Sequence, residues 1–208
     1  MDTGFDPAWT DTIEPAEVYK HDARSRVWRI DAPDGRSFVI KRFEFNPIRQ
    51  ALGQLLRVHP GMREIKQTRL LIDRGIPVVP IVASGTQRRG GGVFFWLATP
   101  YVGKSVFNLL YHGDLSDAER RAAVLDGVGR LTGELIAEGF FNRDHKASNI
   151  LIDAEGKPLL IDCGAVRWHG GKTDSRRMLT NLTANLAEAG ATDADLDRVV
   201  WASETNPG

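Results

Sequence analysis

The sequence predicts an α+β fold of two parts, a small part built on an antiparallel sheet and a larger helical part. Strand-like runs at 26–30, 37–43 and 93–99 all lie in the first half, and the first two are joined by a segment with an Asp-Gly hairpin signal. From about residue 103 the apolar residues recur at helical spacing instead. We therefore predict that residues 1–102 form an N-terminal small lobe and residues 103–208 a C-terminal helical lobe.

The remaining elements of the first half are a short strand and one helix. A first strand is expected at 17–19, before the strand that starts at Arg26. A helix is expected from Met62 to Gly75, because its apolar residues suit one helical face and glycine followed by Ile76-Pro77 is a typical helix end. We expect the first dozen residues of the chain to be loose.

The second half predicts a series of helices. A short helix is expected at 105–111, and Ser116 with Glu119 forms a capping box that opens a long helix ending near Gly139. Further helices are expected at 174–189 and 193–202, with the last six residues loose. The long helix is expected to be a buried scaffold, since its apolar positions recur at helical spacing: Ala122, Val124, Leu125, Val128, Leu131, Leu135 and Ile136.

Three polar side chains after this helix have the spacing that phosphoryl transfer requires. Asp144 is followed five positions later by Asn149, and Asp162 comes after two apolar runs, 150–152 and 158–161, which predict a β-hairpin. The transfer needs one carboxylate for the proton of the attacking hydroxyl and further oxygen ligands for Mg²⁺. Each residue alone is common in turns and caps. Their joint occurrence with Lys146 favours a catalytic loop.

These residues resemble the motifs of the protein-kinase-like superfamily. Asn142-Arg143-Asp144 stands where that family has His-Arg-Asp, and Asp162-Cys163-Gly164 stands where it has Asp-Phe-Gly. The resemblance implies a two-lobed fold with ATP in the cleft, Asp144 as the catalytic base and Lys146 neutralising the moving phosphoryl group. It also implies that Asn149 and Asp162 hold Mg²⁺. None of the departures removes a catalytic group.

The resemblance assigns nucleotide-binding residues upstream as well. The run from Phe38 to Lys41 is similar to the family's Val-Ala-Ile-Lys element, which implies that Lys41 contacts the α- and β-phosphates and that Glu64 holds Lys41. The remaining nucleotide contacts that it implies are a hinge at Tyr101 and Val102 and an adenine ring packed between Val39 and Leu151.

The glycine-rich phosphate loop of the family is absent. Residues 20–25, where the resemblance locates that loop, contain no glycine, so phosphate contacts are expected from the amides of a tight turn and from Arg24 or Ser25. A pseudokinase that acts as a binding module is the competing interpretation. The survival of every charged catalytic position favours an enzyme.

The acceptor is predicted from weaker patterns. The stretch 63–80 resembles the helix and following strand of bacterial lipopolysaccharide core kinases, which phosphorylate Kdo or heptose sugars. The short segment after Asp162 lacks an Ala-Pro-Glu element, which favours a sugar or other small acceptor, lipid-linked or free, over a protein. A basic cluster is a candidate contact for an anionic acceptor: Arg167, Lys172, Arg176 and Arg177. A serine/threonine protein kinase remains the alternative enzyme.

Composition sets the remaining expectations. Lysine plus arginine and aspartate plus glutamate balance at 27 each, so no global charge argues for nucleic acid. Cys163 is the only cysteine and cannot form an internal disulfide, which fits a reducing compartment. The sequence has no apolar run of membrane-spanning length and no secretory signal pattern. We expect a cytoplasmic protein that visits the inner membrane surface transiently if its acceptor is lipid-linked.

Overall fold

The computed structural model describes residues 4–43, 59–89, 92–168 and 171–205. The chain divides into two compact units. The first contains Met1–Thr68 and Val79–Tyr101, and the second contains Arg69–Val78 and Val102–Gly208. The predicted α+β class is confirmed, because the first unit holds a five-stranded antiparallel sheet and the second is mainly helical, as in a two-lobed kinase-like fold.

The sheet of the first unit has the order β1-β2-β3-β5-β4, with every neighbouring pair antiparallel. The strands are β1 (Glu17–His21), β2 (Ser25–Asp31), β3 (Ser37–Phe43), β4 (Ala83–Arg89) and β5 (Gly92–Pro100). Strand β3 lies in the centre, and its residues alternate between the two faces of the sheet because side chains in a strand repeat every two positions. A polar residue of β3 therefore has a defined face and fixed neighbours.

Each face of this sheet packs against a different part of the unit. On one face Phe38, Trp28 and Trp96 pack against Phe5 and Trp9, the latter in helix α1 (Trp9–Thr12). On the other face Phe43, Phe95 and Leu97 pack against Ile65 of helix α2 (Pro60–Asp73). The expectation that the first dozen residues are loose is therefore wrong from Phe5 onward, because two aromatic side chains anchor that segment in the core.

The second unit is built around helix α4 (Ala118–Ala137). Further helices of this unit are α3 (Val106–Tyr111), α5 (Lys172–Glu188) and α6 (Asp193–Thr205), of which α6 packs along α4. Five predicted apolar positions of α4 are buried in the main core: Val124, Leu125, Val128, Leu131 and Leu135. No helix among the described residues has the length and apolar character that crossing a bilayer requires.

Two details of the predicted helices are wrong. Helix α4 is capped by Asp117 rather than Ser116, because the Asp117 carboxylate accepts the Arg120 backbone N–H at 2.7 Å. Helix α6 continues to Thr205 and buries Ser203, so the predicted loose end starts too early. Both errors lie at helix ends, which sequence patterns locate only to within a few residues.

Two short antiparallel strand pairs carry the loop that follows α4. Strand β6 (Phe140–Asn142) pairs with β9 (Val166–Trp168), and β7 (Ile150–Ile152) pairs with β8 (Pro158–Leu160). The β7–β8 pair is the hairpin that the apolar runs predict. The expected strand at 76–80 is not formed, since only Val78 makes an isolated bridge, to Leu160.

Two glycines let helices α4 and α6 approach closely, and their replacement tests this packing. A Cβ on Gly129 would lie 2.5 Å from the Val199 carbonyl oxygen, and one on Gly133 would lie 2.6 Å from that of Ser203. We expect Gly129→Ala or Gly133→Ala to lower the free energy of unfolding by about 1–3 kcal/mol, despite the higher helix propensity of alanine. Denaturant unfolding measures this change.

Gly127→Ala is the matched control in the same helix. Its nearest neighbours would be the Pro158 ring at 3.2 Å and the Arg130 guanidinium at 3.9 Å, so we expect a much smaller loss of stability. Equal effects for Gly127→Ala and Gly133→Ala would show that the close helix approach is not the cause.

Candidate active site

The loop between β6 and β7 is held in shape by hydrogen bonds around Asn142. This fully buried residue stands in the position of the family's histidine, and its side-chain oxygen accepts the Asp144 backbone N–H at 3.1 Å. Its carbonyl accepts the His145 N–H at 3.3 Å. A short 3₁₀ turn, Ala147–Asn149, then leads into β7. Asn142 therefore fixes the backbone that presents Asp144, a role that the sequence alone did not reveal.

Asp144, Lys146 and Asn149 meet around one carboxylate. Lys146 Nζ lies 3.1 Å from Oδ1 of Asp144, and the Asn149 amide nitrogen donates to Oδ2 at 3.2 Å and to the Asp144 carbonyl at 2.9 Å. Asp144 is partly exposed, while Asn149 is buried. Both carboxylate oxygens are thus oriented by donors, as a group that positions and accepts a proton requires.

Asp162 follows the hairpin that begins at Asn149. The Ile161 backbone N–H donates to the Asn149 carbonyl at 2.9 Å. The residue that precedes Asp162 therefore lies beside Asn149. Asp162 has φ 54° and ψ 50°, and it is the only described residue other than glycine with positive φ. Such left-handed conformations are uncommon and cluster at functional sites.

Asn149 and Asp162 fit the requirements of magnesium. Mg²⁺ prefers oxygen ligands and is usually held by one or two carboxylates together with substrate phosphates and water. Since the Asn149 nitrogen donates to Asp144, the amide oxygen is the atom left for a cation. Among the described residues no cluster of three or more histidine, cysteine, aspartate or glutamate side chains forms a metal site. A magnesium that arrives with the nucleotide needs no such cluster.

In the first unit, Lys41 and Glu64 form the predicted pair. Lys41 Nζ lies 2.8 Å from Oε2 of Glu64, and the two side chains are only 21% and 10% exposed. Lys41 is on β3, directly opposite Leu97 of β5, and Glu64 is in the first part of α2. A pair this shielded is screened less by salt than a surface pair, so the ammonium is held in one place on the sheet face.

The other residues predicted to contact the nucleotide are divided between the two units. Val39 is partly buried two residues before Lys41, and therefore on the same sheet face. Tyr101 donates its backbone N–H to the Ser37 carbonyl at 2.9 Å. In the second unit Leu151 bridges to Ser105, and Val102 is partly buried. The roles given to these four residues stay predictions.

The turn between β1 and β2 differs from the expected phosphate cradle. The Asp22 carboxylate accepts the backbone N–H groups of Arg24 and Ser25, both at 2.8 Å. These hydrogen bonds, with Lys20 beside the carboxylate, lower the pKa of Asp22 to about 2. An internal carboxylate thus occupies the amides that were expected to bind phosphate, so this turn is not a preformed cradle.

A buried histidine beside Asp144 was also missed by sequence reasoning. The Thr132 hydroxyl donates to the Val128 carbonyl at 2.8 Å, so its oxygen accepts from Nε2 of His145 at 3.0 Å. This arrangement assigns the proton of the neutral ring to Nε2. Both side chains are fully buried, and burial lowers the pKa of His145 to about 4. The contact joins α4 directly to the candidate catalytic loop.

Stability should therefore fall as the pH drops below 6.5. In the unfolded chain His145 binds its proton near pH 6.5, whereas in the folded chain it does so only near pH 4. Between these values proton binding stabilises the unfolded state relative to the folded state and lowers the free energy of unfolding. Each pH unit is worth about 1.4 kcal/mol, which predicts a loss of about 3 kcal/mol by pH 4. Urea unfolding at pH 7, 6, 5 and 4 measures the slope.

His145→Gln should flatten this pH dependence, and His112→Gln is the matched control. His112 is exposed, so this variant shows what the loss of a histidine outside the core does to the slope. His59, whose pKa burial also lowers, adds a slope of the same sign in every variant. The same slope in the wild type and in His145→Gln would contradict the assignment.

Comparisons with known proteins point to kinases. No protein-family model matches the chain. A serine/threonine-protein kinase of Yarrowia lipolytica is 31% identical over 133 residues, which cover 61% of this chain and 18% of that protein. Serine/threonine-protein kinase 16 of Mus musculus is 28% identical over 111 residues, 51% of this chain and 36% of that protein.

The similarity supports the protein-kinase-like superfamily and a kinase-like function. The chain spans well under two thirds of the length of either relative, so the similarity is distant and partial. Both relatives are described as serine/threonine protein kinases, and neither name mentions lipopolysaccharide. The comparisons thus support the superfamily and do not reach the predicted lipopolysaccharide branch.

Proposed function

We propose that this protein is an ATP-dependent phosphotransferase that moves the γ-phosphoryl group to an alcohol. The observation that carries the proposal is the loop in which Lys146 and Asn149 orient both carboxylate oxygens of Asp144. A turn or cap residue has no need of two such donors. A carboxylate that must accept a proton in a fixed direction does.

Each remaining group has a role in this proposal. Asn149 and Asp162 hold Mg²⁺ through oxygen atoms, and the metal neutralises the polyphosphate when it is bound. Lys41, kept in place by Glu64, contacts the α- and β-phosphates. Asp144 accepts the proton of the attacking hydroxyl, and Lys146 offsets the charge that develops on the phosphoryl group.

The acceptor that we propose is a small or sugar hydroxyl, such as a lipopolysaccharide core sugar. Only nine residues separate Asp162 from the start of α5 at Lys172, and Val166–Trp168 among them are paired with β6. This internal interval leaves little chain for a platform that binds an extended peptide. If the acceptor is lipid-linked, the protein works at the cytoplasmic face of the inner membrane, where ATP is available.

A serine/threonine protein kinase is the second candidate. The descriptions of the two relatives favour it, since both are protein kinases. The chemistry is the same for either acceptor, because a sugar hydroxyl and a serine hydroxyl both lose a proton to a positioned base. The acceptor alone separates the two functions.

The test is ATP consumption in the presence of three acceptor classes. Protein, ATP and Mg²⁺ are incubated with sugars and core oligosaccharide fragments, with generic protein substrates, or with no acceptor, and ADP release and labelled product are measured. We expect Mg²⁺-dependent product in the sugar class. Product only on protein would establish the second candidate. A folded protein that consumes no ATP in any class would instead be a pseudokinase.

A further inference from the structure

A pocket of about 310 Å³ opens beside Asp144, entirely within the second unit. One wall is the loop from Arg143 to Lys146, and the other is one face of helix α5. The lining residues of α5 recur three and four positions apart, which places them on a single helical face: Asn181, Ala184, Asn185 and Glu188. The volume is at the lower end of the range of ligand pockets, roughly 300–1,000 Å³, and suits one small molecule.

Hydrogen bonds fix the two walls against each other. The Asn181 amide donates to the Arg143 carbonyl at 3.4 Å, and the Asn185 side-chain oxygen accepts the Ser148 N–H at 3.3 Å. The Asn185 amide also donates to Oε2 of Glu188 at 3.1 Å. The helix face is therefore anchored to both ends of the catalytic loop. A ligand that binds here meets groups that are already ordered.

Seven of the eight described lining residues carry side chains that can form hydrogen bonds. Among the described lining residues Ala184 alone has an apolar side chain, so the remaining apolar surface comes from the carbon atoms of polar side chains. The side-chain carbonyl oxygen of Asn181 and the second carboxylate oxygen of Glu188 take no part in the contacts above and can accept hydrogen bonds. Neighbouring hydroxyl groups, each both donor and acceptor, match such a lining.

The charges of the pocket favour an uncharged ligand. Asp144 and Glu188 balance Arg143 and Lys146, and Lys146 already pairs with Asp144. His145 in the same loop adds no charge, because its buried ring is neutral and hydrogen-bonds to Thr132. None of the four cations expected to meet an anionic acceptor lines this pocket: Arg167, Lys172, Arg176 and Arg177. The Glu188 carboxylate would repel an acidic group.

We propose that this pocket is the acceptor subsite and that it takes an uncharged polyhydroxylated molecule, selected by Asn181 and Glu188. The inference rests on the proposed kinase function, because it locates the hydroxyl next to Asp144. It narrows the acceptor from sugars in general to neutral ones. It also replaces the predicted basic cluster by an amide and a carboxylate as the specificity-determining groups.

The experiment compares matched acceptors that differ only in charge. Initial rates with Mg-ATP are measured for neutral aldohexoses and aldoheptoses, for the uronic acids of the same hexoses, for hexose 6-phosphates and for a serine peptide. We expect the wild type to phosphorylate a neutral sugar. We expect Glu188→Lys to raise the KM for that sugar by about tenfold or more and to shift the preference toward the uronic acid.

Thr180→Lys is the control, since it introduces a lysine at an exposed position of the same helix outside the pocket lining. We expect it to leave both the KM and the preference unchanged. A wild type that uses only charged sugars or only the peptide, or a Glu188→Lys variant that behaves as Thr180→Lys does, would overturn this inference and leave the kinase function intact. A wild type that consumes no ATP with any acceptor would overturn the kinase function itself, and the inference with it.

Discussion

Asp144→Ala will reduce phosphoryl transfer by about 10²–10⁴-fold, the range typical of a lost general base. The substitution removes the carboxylate that Lys146 and Asn149 orient, so the attacking hydroxyl has no positioned acceptor for its proton. ATP affinity should change little, because Asp144 is not among the proposed ligands of the nucleotide or the metal. Steady-state rates give the first quantity, and calorimetric titration with Mg-ATP gives the second.

Glu155→Ala is the control for this experiment. Glu155 is an exposed carboxylate in the turn between β7 and β8, in the same unit as Asp144, and no catalytic role is proposed for it. Its replacement should leave the rate unchanged. Full activity in the Asp144→Ala protein would show that the assigned base is wrong.

Asp162→Ala will impair both nucleotide binding and turnover. Asp162 is one of two protein ligands proposed for Mg²⁺, so its loss should weaken Mg²⁺-dependent ATP affinity on the order of tenfold or more. Turnover should fall further, since the metal also neutralises charge during transfer. Titrations with ATP in the presence and absence of Mg²⁺ separate the metal-dependent part of the affinity.

Asp162→Asn distinguishes the ligand from the backbone conformation. Asparagine tolerates the left-handed conformation at this position as aspartate does, whereas alanine is strained there. We expect Asp162→Asn to keep the stability of the wild type while weakening metal-dependent affinity, because an amide oxygen lacks the negative charge of the carboxylate. Unchanged Mg²⁺-dependent affinity in both variants would exclude Asp162 as a metal ligand.

Local sequence signals predicted the parts of the fold that are set by neighbouring residues. The hairpin from Ile150 to Leu160 follows from two short apolar runs around a turn, and helix α4 follows from its helical periodicity. The pairing of Lys41 with Glu64, 23 residues apart, came from the family resemblance instead. The structure contains this contact, while the phosphate-binding role of Lys41 stays a prediction.

Features that depend on distant packing were not predictable from the sequence. The anchoring of Phe5 on the sheet and the pairing of β6 with β9 join segments that carry no local signal for each other. The Asp22 turn looked like an open phosphate cradle because nothing in its sequence shows that the carboxylate folds back onto the amides. The contacts of Asn181 and Asn185 with the loop are likewise tertiary, since helical periodicity places both residues on one face without showing what that face meets.

The most direct test is a ³¹P NMR time course of ATP with the wild-type protein, Mg²⁺ and the sugar panel. We predict that the γ-phosphate resonance of ATP decays as a phosphomonoester resonance of a sugar grows, and that chelating Mg²⁺ stops both changes. A folded protein that leaves the γ-phosphate intact, or that forms the phosphomonoester equally fast when both Asp144 and Asp162 are replaced by alanine, would contradict the account.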